Sequence, residues 1–270
     1  MPRPRTSRCR SRDLIHPPEL RTLLPGLHLL ETEVEDFDVR AAVIVGATEA
    51  VVFDTLAHPL QMEGVAALVG GRQLTVVYSH ADWDHAWGTC ALDPARVVAQ
   101  EAAAARFLDD VPAELGERRS RDPATWDAVT LVPPTVTFDA RLDMELGGVT
   151  LELHALPGHT PDCLVGFLPE WGVLLAGDTV ETPLPVVNDG GAVPGWMDRL
   201  ADWLRHPGVT QVVPSHGRIG GKELVEETLA YLDGVSRGRA GPDPGALPPF
   251  YRETHLRNVA LIREASTGGS

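Results

Sequence analysis

Apolar residues come in short runs along the first third of the chain. "LHLLETEV", "AAVIVG" and "AVVFDT" have the length and β-branched content of successive strands, and the Glu, Asp and Gly between them mark turns. "HPLQMEGVAALVGG" changes the period: Leu60, Val65, Leu68 and Val69 fall near helical spacing, and Gly70-Gly71 ends the run. "QLTVVYS" then predicts a buried strand that delivers the chain into "HADWDH", residues 80–85. A polar cluster at a strand's C-terminal end lies where α/β layers usually place chemistry.

From about Gln100 to Pro134 an alanine-rich helix, "QEAAAARFLDD", leads into a charged, proline-containing stretch expected to form a lid or insertion over the site. Paired strands follow. "LDMEL" turns through Gly147-Gly148 into "VTLELHAL", and "CLVGFL" turns through "PEWG" into "VLLAGD". "WMDRLADWLRH" predicts a helix before the strand "TQVVPS", and "KELVEETLAYLDGV" another after it. Gly, Pro and Arg accumulate beyond Ser236, which predicts an extended tail. The chain therefore divides into a disordered extension over 1–20, one domain over 21–235 and a tail over 236–270. Two groups of strands with helices between them predict a layered α/β sandwich more than a single parallel sheet.

Composition narrows the function classes. With 270 residues, 43% of them hydrophobic, the chain can bury a sizeable core. No apolar run approaches the roughly 20 residues of a membrane helix, since "AAVIVGATEAVVF" is broken by Gly46 and Glu49. A formal net charge of −15 disfavours nucleic acid and anionic lipid as partners, leaving a small-molecule substrate. The arginines of "MPRPRTSRCRSR" read as a disordered arm, because no apolar segment follows them as a secretory leader requires. Three cysteines, Cys9, Cys90 and Cys163, form no disulfide framework and point to a reducing cytoplasm.

Besides His80, Asp82, Asp84 and His85, four further side chains close predicted strands and open loops: Asp54 in "VVFDT", His159 in "LPGHTPD", Asp178 in "LLAGDTV" and His216 in "VVPSHGR". Strand ends of one layer lie side by side, so these residues can converge on one cleft. Imidazole nitrogens and carboxylate oxygens are the donors that catalytic divalent metals take. The ordered set resembles the metallo-β-lactamase fold superfamily of metal-dependent hydrolases. Its hallmark is His-x-His-x-Asp-His after a strand, then a distant His, an Asp in a Gly-Asp loop and a last His. The resemblance covers roughly residues 20–235 and implies a four-layer αββα sandwich with the metal site at one edge.

The resemblance also implies roles. His80, Asp82 and His159 would hold one metal ion, Asp84, His85 and His216 a second, and Asp178 would bridge them. Two divalent ions, zinc first with iron or manganese as alternatives, would deliver a hydroxide to an ester, thioester, lactone or amide. Asp84 is the expected catalytic residue, orienting that hydroxide and passing a proton to the leaving group. Asp82 departs from the pattern, where the second histidine belongs; a carboxylate there adds charge and is a harder donor. That departure motivates two alternatives, a nonheme diiron oxidoreductase and a binding protein with a lapsed site. Asp54 is expected either to support the site from behind or simply to make a turn. Cys163 reads as a packed thiol, Trp83 and Trp87 as substrate wall or core, and His28, His58, His154, His206 and His255 as surface or capping residues.

Overall fold

The structure is a computed structural model that describes residues 15–239 and 241–268. Among the described residues, twelve strands form two sheets. The first runs in sequence order through β1 (Glu19–Leu24), β2 (Leu27–Val34), β3 (Phe37–Val45), β4 (Glu49–Phe53), β5 (Gln73–Val77), β6 (Arg96–Gln100) and β7 (Val136–Phe138). Its first four strands pair antiparallel and its last three join in parallel. The second sheet orders β12 (Gln211–Pro214), β11 (Val173–Gly177), β10 (Leu164–Leu168), β9 (Thr150–Ala155) and β8 (Arg141–Glu145), with only β11 and β12 parallel.

Alternation along each strand explains the layering. In β4, Val51 and Phe53 face the second sheet while Ala50 and Val52 face the outer helices. In β10, Leu164 and Leu168 point inward and Val165 and Phe167 outward. Both faces are covered, so these strands read as continuous apolar runs rather than half-polar ones. Over the first sheet pack α1 (Val65–Val69), α3 (Glu101–Arg106) and α4 (Asp110–Arg121); over the second pack α6 (Val193–Arg205), α7 (Glu223–Ser236) and α8 (Pro249–Gly268). Two short helices, α2 (Trp83–Ala86) and α5 (Pro123–Trp126), complete the set. This is the expected αββα sandwich. No helix among the described residues is long and apolar enough to cross a membrane.

The structure departs from the expected elements in three places. The helix expected over residues 58–71 is a 3-10 turn, Pro59–Met62, followed by α1. His58 and Gln61 close a reciprocal cap there, the His58 ring accepting from Leu60 N and Gln61 Oε1 from His58 N, and this fixes a separate turn. The charged stretch after Arg106 is helical, as α4 and α5. The tail expected to be extended contains α8, whose Tyr251, Asn258 and Ile262 are buried against the second layer. Of the expected N-terminal extension, residues 1–14 lie outside the described residues, and β1 already begins at Glu19.

Candidate metal-binding site

The loops at one edge of the sandwich bring the seven expected side chains together. After β5 the chain passes through Ser79 into His80, and α2 then sets Asp84 and His85. His159 follows Gly158, which packs so closely on Trp196 that an added Cβ would lie 2.2 Å from its ring. Asp178 follows β11, and His216 follows β12.

Each histidine is anchored through Nδ1. His85 Nδ1 lies 3.0 Å from Asp54 Oδ2, His159 Nδ1 2.9 Å from Val186 O, and His216 Nδ1 2.5 Å from Asp38 O. His80 Nδ1 lies 3.0 Å from Ser79 Oγ, whose own proton goes to Asp54 Oδ2 at 2.7 Å. These acceptors favour a proton on each Nδ1 and turn all four Nε2 atoms into the cluster. Asp54 thus does more than turn the chain at φ 63°: its carboxylate also accepts from Ser79 N at 2.7 Å, binding the ends of β4 and β5 together.

Two ligands of one tetrahedral ion, each about 2.1 Å from it, lie roughly 3.4 Å apart. The separations here match. His80 Nε2 and His159 Nε2 are 3.5 and 3.3 Å from Asp82 Oδ2. His85 Nε2 and His216 Nε2 are each 3.6 Å from Asp84 Oδ2 and 3.3 Å from one another. Between the trios lies Asp178, with Oδ1 3.3 Å from His85 and Oδ2 3.2 Å from His216, 3.7 Å from His159 and 3.8 Å from His80. Among the described residues, His80 Nε2 and Asp178 Oδ1 are buried without a hydrogen-bond partner. Unpartnered donors of this kind, in groups that could hold a metal ion, fit the expected cations.

Electrostatics agree with a site built for positive charge. Burial disfavours the Asp82 carboxylate, but His80 and His159 hold its pKa well below the usual range. Burial likewise opposes charge on Asp178, and His216, His85 and His80 bring it far down. Burial works against imidazolium at His159, yet the Asp82 hydrogen bond and Asp178 raise it to about 9. His216, also buried, is raised to about 10 by Asp178. Protons on His85, His159 and His216 offset the crowded carboxylates, and a metal ion competes with those protons for the same donors.

Four contributors were not legible in the sequence. Arg106 binds Asp82 Oδ1 at 2.6 Å and Asp162 Oδ1 at 3.0 Å, while Asp162 Oδ2 accepts from Ala81 N at 2.8 Å. The charge that Asp82 adds is thereby compensated, and its other oxygen is left facing the trio. Glu181, which burial pushes up to about 7, accepts from Val186 N at 3.2 Å. Asn258 of α8 donates to Pro185 O at 2.7 Å and accepts from Val187 N at 3.0 Å, clamping the strand of loop whose Val186 carbonyl anchors His159. Of the remaining residues, Cys163 is buried with Thr160 against it and Trp87 sits in the core, while Trp83 lines the cleft. His28, His58, His154, His206 and His255 bond to Thr22, Leu60, Glu152, Gly208 and Tyr231, away from the cluster.

The cleft lined by Asp82, Asp84, His159, Asp178 and His216 encloses about 260 Å³, with Phe37, Trp83 and Phe250 among its walls. Comparison with known proteins is consistent with this geometry. The family model of the metallo-beta-lactamase superfamily matches residues 34–230. A linear primary-alkylsulfatase from a Pseudomonas species is 33% identical over 109 residues, 38% of this chain and 20% of that protein. A metallo-beta-lactamase type 2 from Bacteroides fragilis is 32% identical over 115 residues, 38% of this chain and 45% of the relative. The chain thus spans less than half the length of either. Among solved structures, a metallo-beta-lactamase family protein from Thermus thermophilus superposes with a TM-score of 0.68 at 21% identity, over 91% of this chain and 95% of that one.

Proposed function

The chain belongs to the metallo-beta-lactamase superfamily, and from that premise we propose that it is a metal-dependent hydrolase acting on an ester, thioester, lactone or amide. The observation that carries this reading is the pair of donor trios around Asp178, with all four imidazoles anchored at Nδ1 and turned inward at Nε2. In this reading His80, Asp82 and His159 would hold one divalent ion, Asp84, His85 and His216 would hold another, and Asp178 would lie within reach of both. Such ions supply Lewis acidity, which activates water and polarises the attacked bond. Zinc suits the imidazoles, and the Asp82 carboxylate widens the choice to manganese and iron.

The chain's own groups do the rest. Asp84, only 6% exposed, lies at the cleft floor where its free oxygen can orient the attacking water and receive a proton. As the water oxygen bonds to the carbonyl carbon and the bond to the leaving group breaks, the same carboxyl returns the proton to the departing atom. Arg106 and Asp54 hold Asp82 and His85 in place. Phe37, Trp83 and Phe250 give the cleft an apolar wall.

Elemental analysis of protein expressed with added metal should find between one and two equivalents of transition metal, and a panel of ester, thioester, lactone and amide substrates should show turnover. Asp84→Ala should lower kcat at least about a hundredfold while retaining part of the metal. Metal below about 0.2 equivalents contradicts the reading. So does Asp84→Ala with unchanged kcat.

A further inference from the structure

The chain carries 38 acidic residues against 23 basic ones, so an arginine facing a cleft without a counter-ion is unusual. Arg118 does not meet that description: it pairs with Glu35 at 2.9 Å and Glu114 at 3.1 Å and lies over the Trp83 ring at 3.6 Å. Arg106 is likewise committed, to Asp82, Asp110 and Asp162. Arg257 lines the same cleft, is exposed, and makes no ion pair or hydrogen bond among the described residues.

Its backbone is anchored. Arg257 precedes Asn258 in α8, and Asn258, 0% exposed, is bonded to Pro185, Val187 and Tyr231. The same helix supplies Phe250, whose ring lies 5.2 Å from that of Phe37, and Phe37 in turn lies 6.1 Å from Trp83. One helix therefore presents an unpaired cation and an aromatic surface to a cleft whose floor is the donor cluster.

We propose that the site takes an amphipathic organic anion, with Arg257 binding its anionic group and Phe37, Trp83 and Phe250 receiving its apolar part. The proposal rests on the hydrolase reading for what happens next, but not for binding. A guanidinium offers a planar fork of donors that fits a carboxylate, sulfate or phosphate oxygen pair, and it is charged at any pH the protein meets. The aromatic walls give the apolar remainder somewhere to go. Hydrolysis elsewhere in the molecule leaves the anionic group unchanged, so Arg257 can hold that end while the bond over the donor cluster is cut.

The test uses metal-loaded full-length protein and two readouts. In the first, intrinsic tryptophan fluorescence follows binding of phenylbutyrate and of its neutral primary amide to wild type, Arg257→Gln and Arg257→Glu. Wild type should bind the carboxylate about tenfold more tightly than the amide, Arg257→Gln should bring the two together, and Arg257→Glu should favour the amide. In the second, the para-nitrophenyl monoester of glutaric acid is compared with that of valeric acid; wild type should show the lower KM for the glutarate ester, and Arg257→Glu should raise that KM above the KM for the valerate ester. Equal binding of carboxylate and amide by wild type overturns the proposal. So does a carboxylate preference kept in full by Arg257→Glu, which puts the anion on the metal centre. No turnover of either ester, with the binding pattern as expected, counts against the hydrolase reading alone.

Discussion

Asp82 shows how one residue's departure from a motif is absorbed by its surroundings. Its Oδ1 is held by Arg106 and its Oδ2 faces His80 and His159, so the carboxylate is oriented from behind much as Asp54 orients His85. Arg106→Leu should therefore act twice. It leaves Asp162, 0% exposed, without its cation, which should destabilise the protein by roughly 3 kcal/mol in urea unfolding. It should also weaken metal binding about ten- to a hundredfold, as loss of an outer partner usually does. Unaltered metal affinity would mean that Asp82 holds its position without Arg106. Asp82→His should shift metal preference towards zinc, measured by competition against manganese, because a neutral imidazole replaces a hard anion. The seven side chains that cluster here were legible because short spacings and loop signals carry them. Arg106 and Asp162 were not, since an arginine within an alanine-rich helix reads as a solvated charge until the fold brings residue 162 beside residue 106.

The sheets were legible as elements because burial on both faces writes itself as uninterrupted apolar runs. Helix α8 was not. "GPDPGALP" precedes it, and its apolar residues are too sparse to mark a stripe, so its helicity depends on the surface it meets. That surface includes the 185–187 segment, which has no regular structure and is held by Asn258. Asn258→Ala should leave the buried Val187 N and Pro185 O without partners, at a cost of about 2–4 kcal/mol in stability. The change should also loosen Val186, whose carbonyl anchors His159, and so reduce metal bound by the His80, Asp82 and His159 trio. Metal stoichiometry alongside urea melts checks both. Lowered stability with full metal would confine Asn258 to packing.

At the scale of the whole molecule, the donor set straddles the seam between the two sheets. His80, Asp82, Asp84 and His85 follow β5 of the first sheet, whereas His159, Asp178 and His216 leave β9, β11 and β12 of the second. An ion bound to both groups links the layers at their open edge, and the unfolded chain offers no such arrangement. Binding to the folded state alone should stabilise it by RT ln(1 + [L]/Kd), about 2.7 kcal/mol when free metal is a hundredfold above Kd. Chelation should therefore lower the melting temperature by several degrees, and added zinc or manganese should restore it. The sign follows from the charges as well: removing cations leaves three carboxylates, Asp82, Asp84 and Asp178, crowded within one buried cluster of a chain already at −15. Asp84→Ala should shrink the chelator-dependent shift because it removes both a proposed donor and a charge. Arg257→Gln, at the rim, should leave it intact. A melting temperature indifferent to chelator after the metal has been shown to leave would mean that the hydrogen bonds behind the histidines hold the two layers together on their own.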